Sequence, residues 1–263
     1  MLQIDLNRLP TSDELPSSDD IPVDNVGVST SRSEDQNLLP NILLFLLNSI
    51  WAARMDWFFA VDMGVYHTTG ANPRVPVVPD AFLSLGVERK KGGKSRRSYI
   101  TWEEQGIAPM FALEMVSHQP GGEYDEKLAI YANLGVLYYA IYNPEFWQRD
   151  RHHPFEIYRL VDGIYQLQIG EPYWMPEVGL GIGRYQAVFG NLPQEQLGWF
   201  NEHGIRYLTM DELANSERQR ADRAQMRVDI VQMEVDSERQ RADAAQIQVD
   251  ELLAKLRSIE ENQ

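Results

Sequence analysis

Pro109-Met110-Phe111-Ala112-Leu113-Glu114-Met115-Val116 is the stretch on which the reading of this chain turns. From Phe111 to Val116 the run is short, opened by a proline turn and apolar but for one acid, which is the pattern of a central strand covered on both faces. Side chains alternate along a strand, so Ala112, Glu114 and Val116 share one face while Phe111, Leu113 and Met115 share the other. Glu114 is therefore an acid at a core position. Ionised and unpartnered there, it would cost several kcal/mol or take up a proton; a metal ion or a basic side chain would stabilise it.

Outward from this strand, helical and extended periods alternate. Ile42, Leu43, Leu46, Leu47, Ile50 and Ala53 recur at helical intervals and predict a helix from Asn37 to about Met55. Phe58 to Tyr66 and Ala81 to Leu85 read as strands, the second entered through Pro79-Asp80, a position where proline is tolerated. Residues 123–134 predict a helix ended by Gly135, which takes the left-handed cap conformation at no steric cost. Val136 to Tyr142 is strand-like, and Phe155 to Leu160 and Ile164 to Ile169 flank the hairpin signal Asp162-Gly163. Helix, strands, helix, strands predicts an α/β fold, a mixed β-sheet flanked by helices.

Two further segments bracket this domain of residues 37–210. Residues 1–36, rich in Ser, Asp and Pro with little apolar periodicity, read as a disordered acidic tail. In residues 211–263, Ser216 to Gln225 recurs as Ser237 to Gln246, an offset of three heptads. With Ala214, Ala221, Val228, Val235, Ala242, Val249 and Leu256 at the first core position, the second holds Glu217, Ala224, Val231, Glu238, Ala245, Leu252 and Ile259. That seam predicts a coiled-coil helix and hence a homodimer; Glu217 and Glu238 interrupt it.

The net charge of −15 opposes a polyanionic partner until its location is considered. The two terminal segments carry −6 and −5, leaving only −4 on the domain between them. Within that domain Arg89, Lys90, Lys91, Lys94, Arg96 and Arg97 crowd into nine positions with Gly92 and Gly93, a locally positive loop suited to gripping DNA. The absence of cysteine removes disulfides, thiolate metal sites and cysteine nucleophiles and suits a reducing cytoplasm. No secretory signal opens the sequence, and the apolar run Leu38 to Ala53 is shorter than the roughly 20 residues of a membrane span, so no membrane association is expected.

Asp80, at the start of its strand, can converge with Glu114 on one ion if the two strands are neighbours. A carboxylate pair with open positions suits magnesium, or manganese in its place, because magnesium keeps several waters. On the helix of residues 123–134, Lys127 falls on the stripe of Glu123, Ile130, Tyr131 and Leu134 that faces the sheet, while Asp125 faces solvent. A lysine turned inward needs a partner for its charge. Glu123 is the better second acid, and Ser117 and His118 follow the central strand.

Val78-Pro79-Asp80, Ser98 to Glu104, Leu113-Glu114-Met115-Val116-Ser117, Glu123-Tyr124-Asp125-Glu126-Lys127 and Gly135 to Tyr139, ending at Asn143-Pro144, together resemble the bacterial Uma2 family of restriction-endonuclease-like proteins over residues 38–210. That resemblance implies the PD-(D/E)xK nuclease fold and a divalent-metal-dependent endonuclease. Asp80 and Glu114 are then the metal-binding acids and Lys127 a catalytic lysine moved from strand to helix. Val116 occupies the usual lysine position. Two other readings stay open: an inactive nuclease fold serving as an interaction platform through its heptad helix, and a carboxylate-pair hydrolase acting on sugars, against which the inward lysine speaks.

Overall fold

The computed structural model describes residues 34–117, 121–189 and 192–260, divided into one unit ending at Tyr207 and another beginning at Leu208. The first unit runs α1 (Glu34–Ile50), β1 (Trp57–Val61), β2 (Val65–Tyr66), β3 (Ala81–Leu85), β4 (Tyr99–Ile100) and β5 (Phe111–Met115). It continues with α2 (Glu126–Leu134), β6 (Tyr138–Tyr142), α3 (Trp147–Asp150), β7 (Phe155–Val161), β8 (Ile164–Leu167), β9 (Tyr173–Met175), β10 (Leu180–Phe189) and β11 (Leu192–Phe200).

Six strands form the central sheet in the order β1-β3-β5-β6-β7-β8. Only β5 and β6 run parallel, joined through α2, and every other neighbouring pair is antiparallel, so the sheet is mixed as the element order predicts. Register sets Ala81 against Leu113 and Glu114 against Ile141. β5 thus lies in the middle of the sheet, covered on both faces.

The alternation of β5 sorts the core into two layers. Phe111, Leu113 and Met115 join Leu39, Leu43 and Leu47 of α1, together with Ile182, Leu197 and Trp199 of a second sheet ordered β11-β10-β9. The Trp199 indole donates to the Leu43 carbonyl at 3.0 Å, tying that sheet to α1. Ala112 and Val116 face the other way, into the layer of Phe82, Tyr139 and Ile141 that α2 covers with Tyr131 and Leu134. Glu114 shares that face.

Several local expectations need correction. α1 starts at Glu34 and stops at Ile50; Ala53 is exposed in the turn that follows, so its helical spacing carries no core contact. The boundary drawn after residue 36 therefore falls inside a helix, and residues 1–33 of the expected acidic tail lie outside the described residues. The single strand expected from Phe58 to Tyr66 is broken at Asp62, whose φ of 54° is left-handed, and β2 beyond the break pairs in parallel with β4. α2 begins at Glu126 because Gly122, with a φ of 77°, makes a turn before it; Gly135 caps the other end in the left-handed conformation as expected. The β11-β10-β9 sheet is an addition to the elements that the periodicity predicts. Within it Gly181 and Gly183 lie in β10, and a Cβ on Gly183 would stand 2.9 Å from Pro172 Cα, so close backbone approach accounts for that glycine.

In the second unit α4 (Met210–Glu260) is one continuous helix. Thr209 and Glu212 close a reciprocal capping box, the Thr209 amide donating to Glu212 Oε2 at 2.8 Å and the Glu212 amide to Thr209 Oγ1 at 3.3 Å. Seam residues Val228, Val231, Val235, Val249 and Leu252 are exposed on it. Among the described residues no helix is long and apolar enough to cross a membrane.

Candidate active site

Glu114 is 1% exposed, an acid in the interior of β5 as its position in an apolar run implies. Both of its oxygens are engaged from α2: Lys127 Nζ donates to Oε2 at 2.8 Å and Tyr131 Oη to Oε1 at 2.6 Å. The two donors are one helical turn apart, so one face of α2 delivers both to the same carboxylate. Asp80 stands beside them because β3 runs antiparallel to β5; its Oδ2 accepts from the Met115 amide at 2.6 Å. Glu123 is buried, with both carboxylate oxygens held by the Gly121 amide at 3.1 and 2.9 Å, and lies 4.0 Å from Lys127 Nζ. A Cβ on Gly121 would meet Glu123 Oε1 at 2.7 Å, so a side chain there would disturb this arrangement.

The electrostatics follow from enclosure. Burial pushes the Glu114 carboxyl up to about 8; Lys127 opposes the rise and the neighbouring charge of Asp80 adds to it. Burial pulls on Lys127 in the direction of neutrality, but Glu114, Glu123 and Asp80 outweigh it and hold the ammonium above its usual range. The Tyr131 hydroxyl is kept firmly protonated, first by burial and then by the nearby carboxylate. Hence a lysine 26% exposed at its side chain bridges a closed carboxylate and the protein surface.

Of the residues singled out by the sequence, Asp80, Glu114, Glu123 and Lys127 come together. Val116 is buried in the apolar layer, and the ammonium that reaches Glu114 comes from α2. Ser117 is half-buried just beyond the end of β5, and His118 lies outside the described residues. By sequence Tyr131 belongs to the stripe that faces the sheet, and its position four residues after Lys127 is the signal that it meets the same target. His152, in the loop after α3, is half-buried: its ring stacks on Tyr124 at 3.6 Å, and Nδ1 lies 3.2 Å from the buried Glu156.

The donor set can be weighed against a divalent cation. Among the described residues no three His, Cys, Asp or Glu side chains are grouped to hold an ion, so the set is two carboxylates, Asp80 and Glu114. Hard oxygens in that number fit magnesium or manganese, an ion that keeps waters and would also offset the burial of the Glu114 charge.

Three cations of the basic loop are engaged by neighbouring side chains. Arg96, 2% exposed at its side chain, donates from Nε and Nη2 to Glu104 at 2.8 and 3.0 Å and lies over the Phe58 ring. Arg89 lies 3.9 Å above the Trp57 ring and donates to Asn48 Oδ1, and Lys91 pairs with Glu103 at 2.7 Å. Lys90, Lys94 and Arg97 remain exposed.

The profile of the Uma2 family, described as "Putative restriction endonuclease", matches residues 25–187. The chain belongs to the Uma2 family. The match starts upstream of α1 and ends within β10, a span shifted toward the N-terminus from the resemblance over residues 38–210. Among solved structures, the chain is similar to a nuclease of the DUF820 group from Anabaena variabilis ATCC 29413, described there as putative, with 12% identity. That similarity covers 56% of this chain and 74% of the other at a TM-score of 0.39. No curated protein matches. For this Uma2 protein the mixed sheet, its flanking helices and the family assignment together give a restriction-endonuclease-like fold and a nuclease-like function.

Proposed function

We propose that this Uma2 protein is a divalent-metal-dependent endonuclease that hydrolyses DNA phosphodiester bonds, working in the cytoplasm as a homodimer joined through α4. The observation that carries the reading is the meeting of Asp80, Glu114 and Lys127, two carboxylates and an ammonium, on one face of the sheet. Asp80 and Glu114 would hold magnesium or manganese. When bound, such an ion stabilises negative charge on the phosphorus oxygens and makes water a better nucleophile. Lys127, fixed by Glu114 yet partly open to solvent, orients the attacking water or offsets the charge that develops on phosphorus. Tyr131 holds Glu114 from α2, and Glu123, one turn before Lys127, lies beside the ammonium.

Incubation of supercoiled plasmid with the full chain and magnesium or manganese tests this. Wild type is expected to nick or linearise the DNA and Glu114→Ala to fall by at least about a hundredfold, the scale of removing one group that stabilises transition-state charge. Equal activity in both proteins would take Glu114 out of the mechanism.

The occupation of both Glu114 oxygens by Lys127 and Tyr131 favours one other reading, a nuclease fold whose site is closed and whose exposed heptad helix is the working part. Calorimetric titration with manganese separates the two: metal binding that is lost in Asp80→Ala supports catalysis, and no binding supports the platform.

A further inference from the structure

Residues of the basic loop and the segment after it enclose a cavity of about 350 Å³. Its wall holds four cations, Lys91, Lys94, Arg96 and Arg97, the hydroxyl residues Ser95 and Ser98, and one acid, Glu103. Counting Glu104, which pairs with Arg96, the local balance is still positive in a chain whose net charge is −15. Chance clustering on a solvated surface would leave these cations apart, but here the backbone forces them together. Gly92 and Gly93 take left-handed φ values of 52° and 78°, and the turn they make sets Lys91 and Lys94 opposite each other as an isolated bridge pair. Like charges placed across a bridge repel, and the pairing of Lys91 with Glu103 at 2.7 Å answers only one of the two.

Arg96 is the centre of this arrangement. Glu104 takes Nε and Nη2, and the Phe58 ring supports the guanidinium plane, so the side chain is fixed before any ligand arrives. Nη1 is buried and has no hydrogen-bond partner. A guanidinium nitrogen in that state is a donor awaiting an acceptor. Among the described residues Lys94 likewise has no ion-pair partner, although it lines the same cavity. A multivalent oxyanion supplies what is missing: charge to relieve the opposed lysines and several acceptor oxygens for Arg96, the lysines and the serine hydroxyls.

We infer that this cavity is a phosphoryl-binding site, built around Arg96 and independent of hydrolysis at Glu114. The phosphoryl group can come from a DNA backbone or from free phosphate, and one experiment distinguishes them. Inorganic phosphate is titrated calorimetrically into the full chain, and binding of a short duplex is measured in chelator across a salt series, so that no cleavage contributes. The double variant Lys94→Ala/Arg97→Ala changes only exposed loop positions, and Lys90→Ala, outside the cavity wall, is the control.

Wild type is expected to bind phosphate saturably, and the double variant to bind it about tenfold more weakly or worse, with Lys90→Ala within about twofold of wild type. If duplex affinity falls in the double variant and the slope of log affinity against log salt shrinks by about 2, the site takes backbone phosphate. If phosphate affinity falls while duplex binding is unchanged, the site takes the free ion. Affinities for both ligands that are the same in wild type and double variant, or a phosphate affinity that Lys90→Ala lowers just as much, overturn the inference.

Discussion

Glu114→Gln should make the protein more stable than wild type in mildly alkaline solution, and the magnitude follows from where the carboxyl lies. At 1% exposure, burial moves it from its ordinary 4.5 up to about 8, with Lys127 pulling the other way. In the unfolded chain the group ionises near 4.5, so between that pH and about 8 the folded protein holds a proton that the unfolded chain has released. The contribution to stability is thus complete below 4.5 and is lost as pH rises through about 8. At roughly 1.4 kcal/mol per pH unit, the separation between 4.5 and about 8 amounts to about 5 kcal/mol. Glutamine keeps the size of the side chain, still accepts from Tyr131 and does not titrate. Lys127 is not stranded by the change, because its side chain is 26% exposed and Glu123 lies 4.0 Å away. The assay is urea denaturation in chelator at pH 5, 6, 7 and 8, followed by tryptophan fluorescence from the buried Trp57 and Trp199. Subtracting wild type from variant cancels the titrating groups that do not interact with Glu114, and Lys127 and Tyr131, which do, are held above their usual ranges and so titrate above this window. The difference should start within about 1 kcal/mol of zero at pH 5 and grow by about 1.4 kcal/mol per unit to pH 8. A difference that stays flat across this window, or that turns against the variant as pH rises, would overturn this assignment. It would mean that Lys127 keeps Glu114 ionised and that pairing outweighs burial.

Tyr131→Phe removes a 2.6 Å hydrogen bond to Glu114 and should lower stability by about 1 to 3 kcal/mol, read from the denaturation midpoint, because the carboxylate oxygen is left without that donor. It should also move the pH dependence of wild type to higher pH, since the lost bond favours the charged carboxylate. Gly183→Ala places a Cβ 2.9 Å from Pro172 Cα, a backbone atom that cannot swing aside, and should cost roughly 1 to 3 kcal/mol; a variant as stable as wild type would show that the segment entering β9 yields. Sedimentation of the full chain and of a chain ending at Met210 tests the seam: a dimer that becomes a monomer on truncation is expected, and two monomers would reject pairing through α4.

The interruptions of that seam are locally answered. Glu217 and Glu238, at equivalent places in the repeat, each accept from an arginine three residues on, Arg220 at 2.8 Å and Arg241 at 2.9 Å. Both pairs are exposed in the single helix and contribute little to it by themselves. Their value in a dimer would come from neutralising acids that otherwise face their own copies.

What could be read from residue order was whatever a few neighbouring residues decide. The two-residue period of Phe111 to Val116, the left-handed stops at Gly135 and at Asp162-Gly163, and the heptad spacing of α4 are properties of backbone geometry acting over one or two turns, and the structure has each of the corresponding elements. Glu114 announced itself because an acid in an apolar strand is a local contradiction, and Lys127 because a helical wheel turns it inward. Which groups would answer that contradiction depended on partners far apart in the chain. Asp80 reaches the Met115 amide only because β3 pairs with β5, Tyr131 joins Lys127 on Glu114 only because α2 lies across that face, and Arg96 is withdrawn from solvent by Glu104 and Phe58. Local periodicity is repeated in every short window of sequence, whereas the pairing of strands and the seating of a helix are settled once, by packing of the whole domain, and no short window contains them.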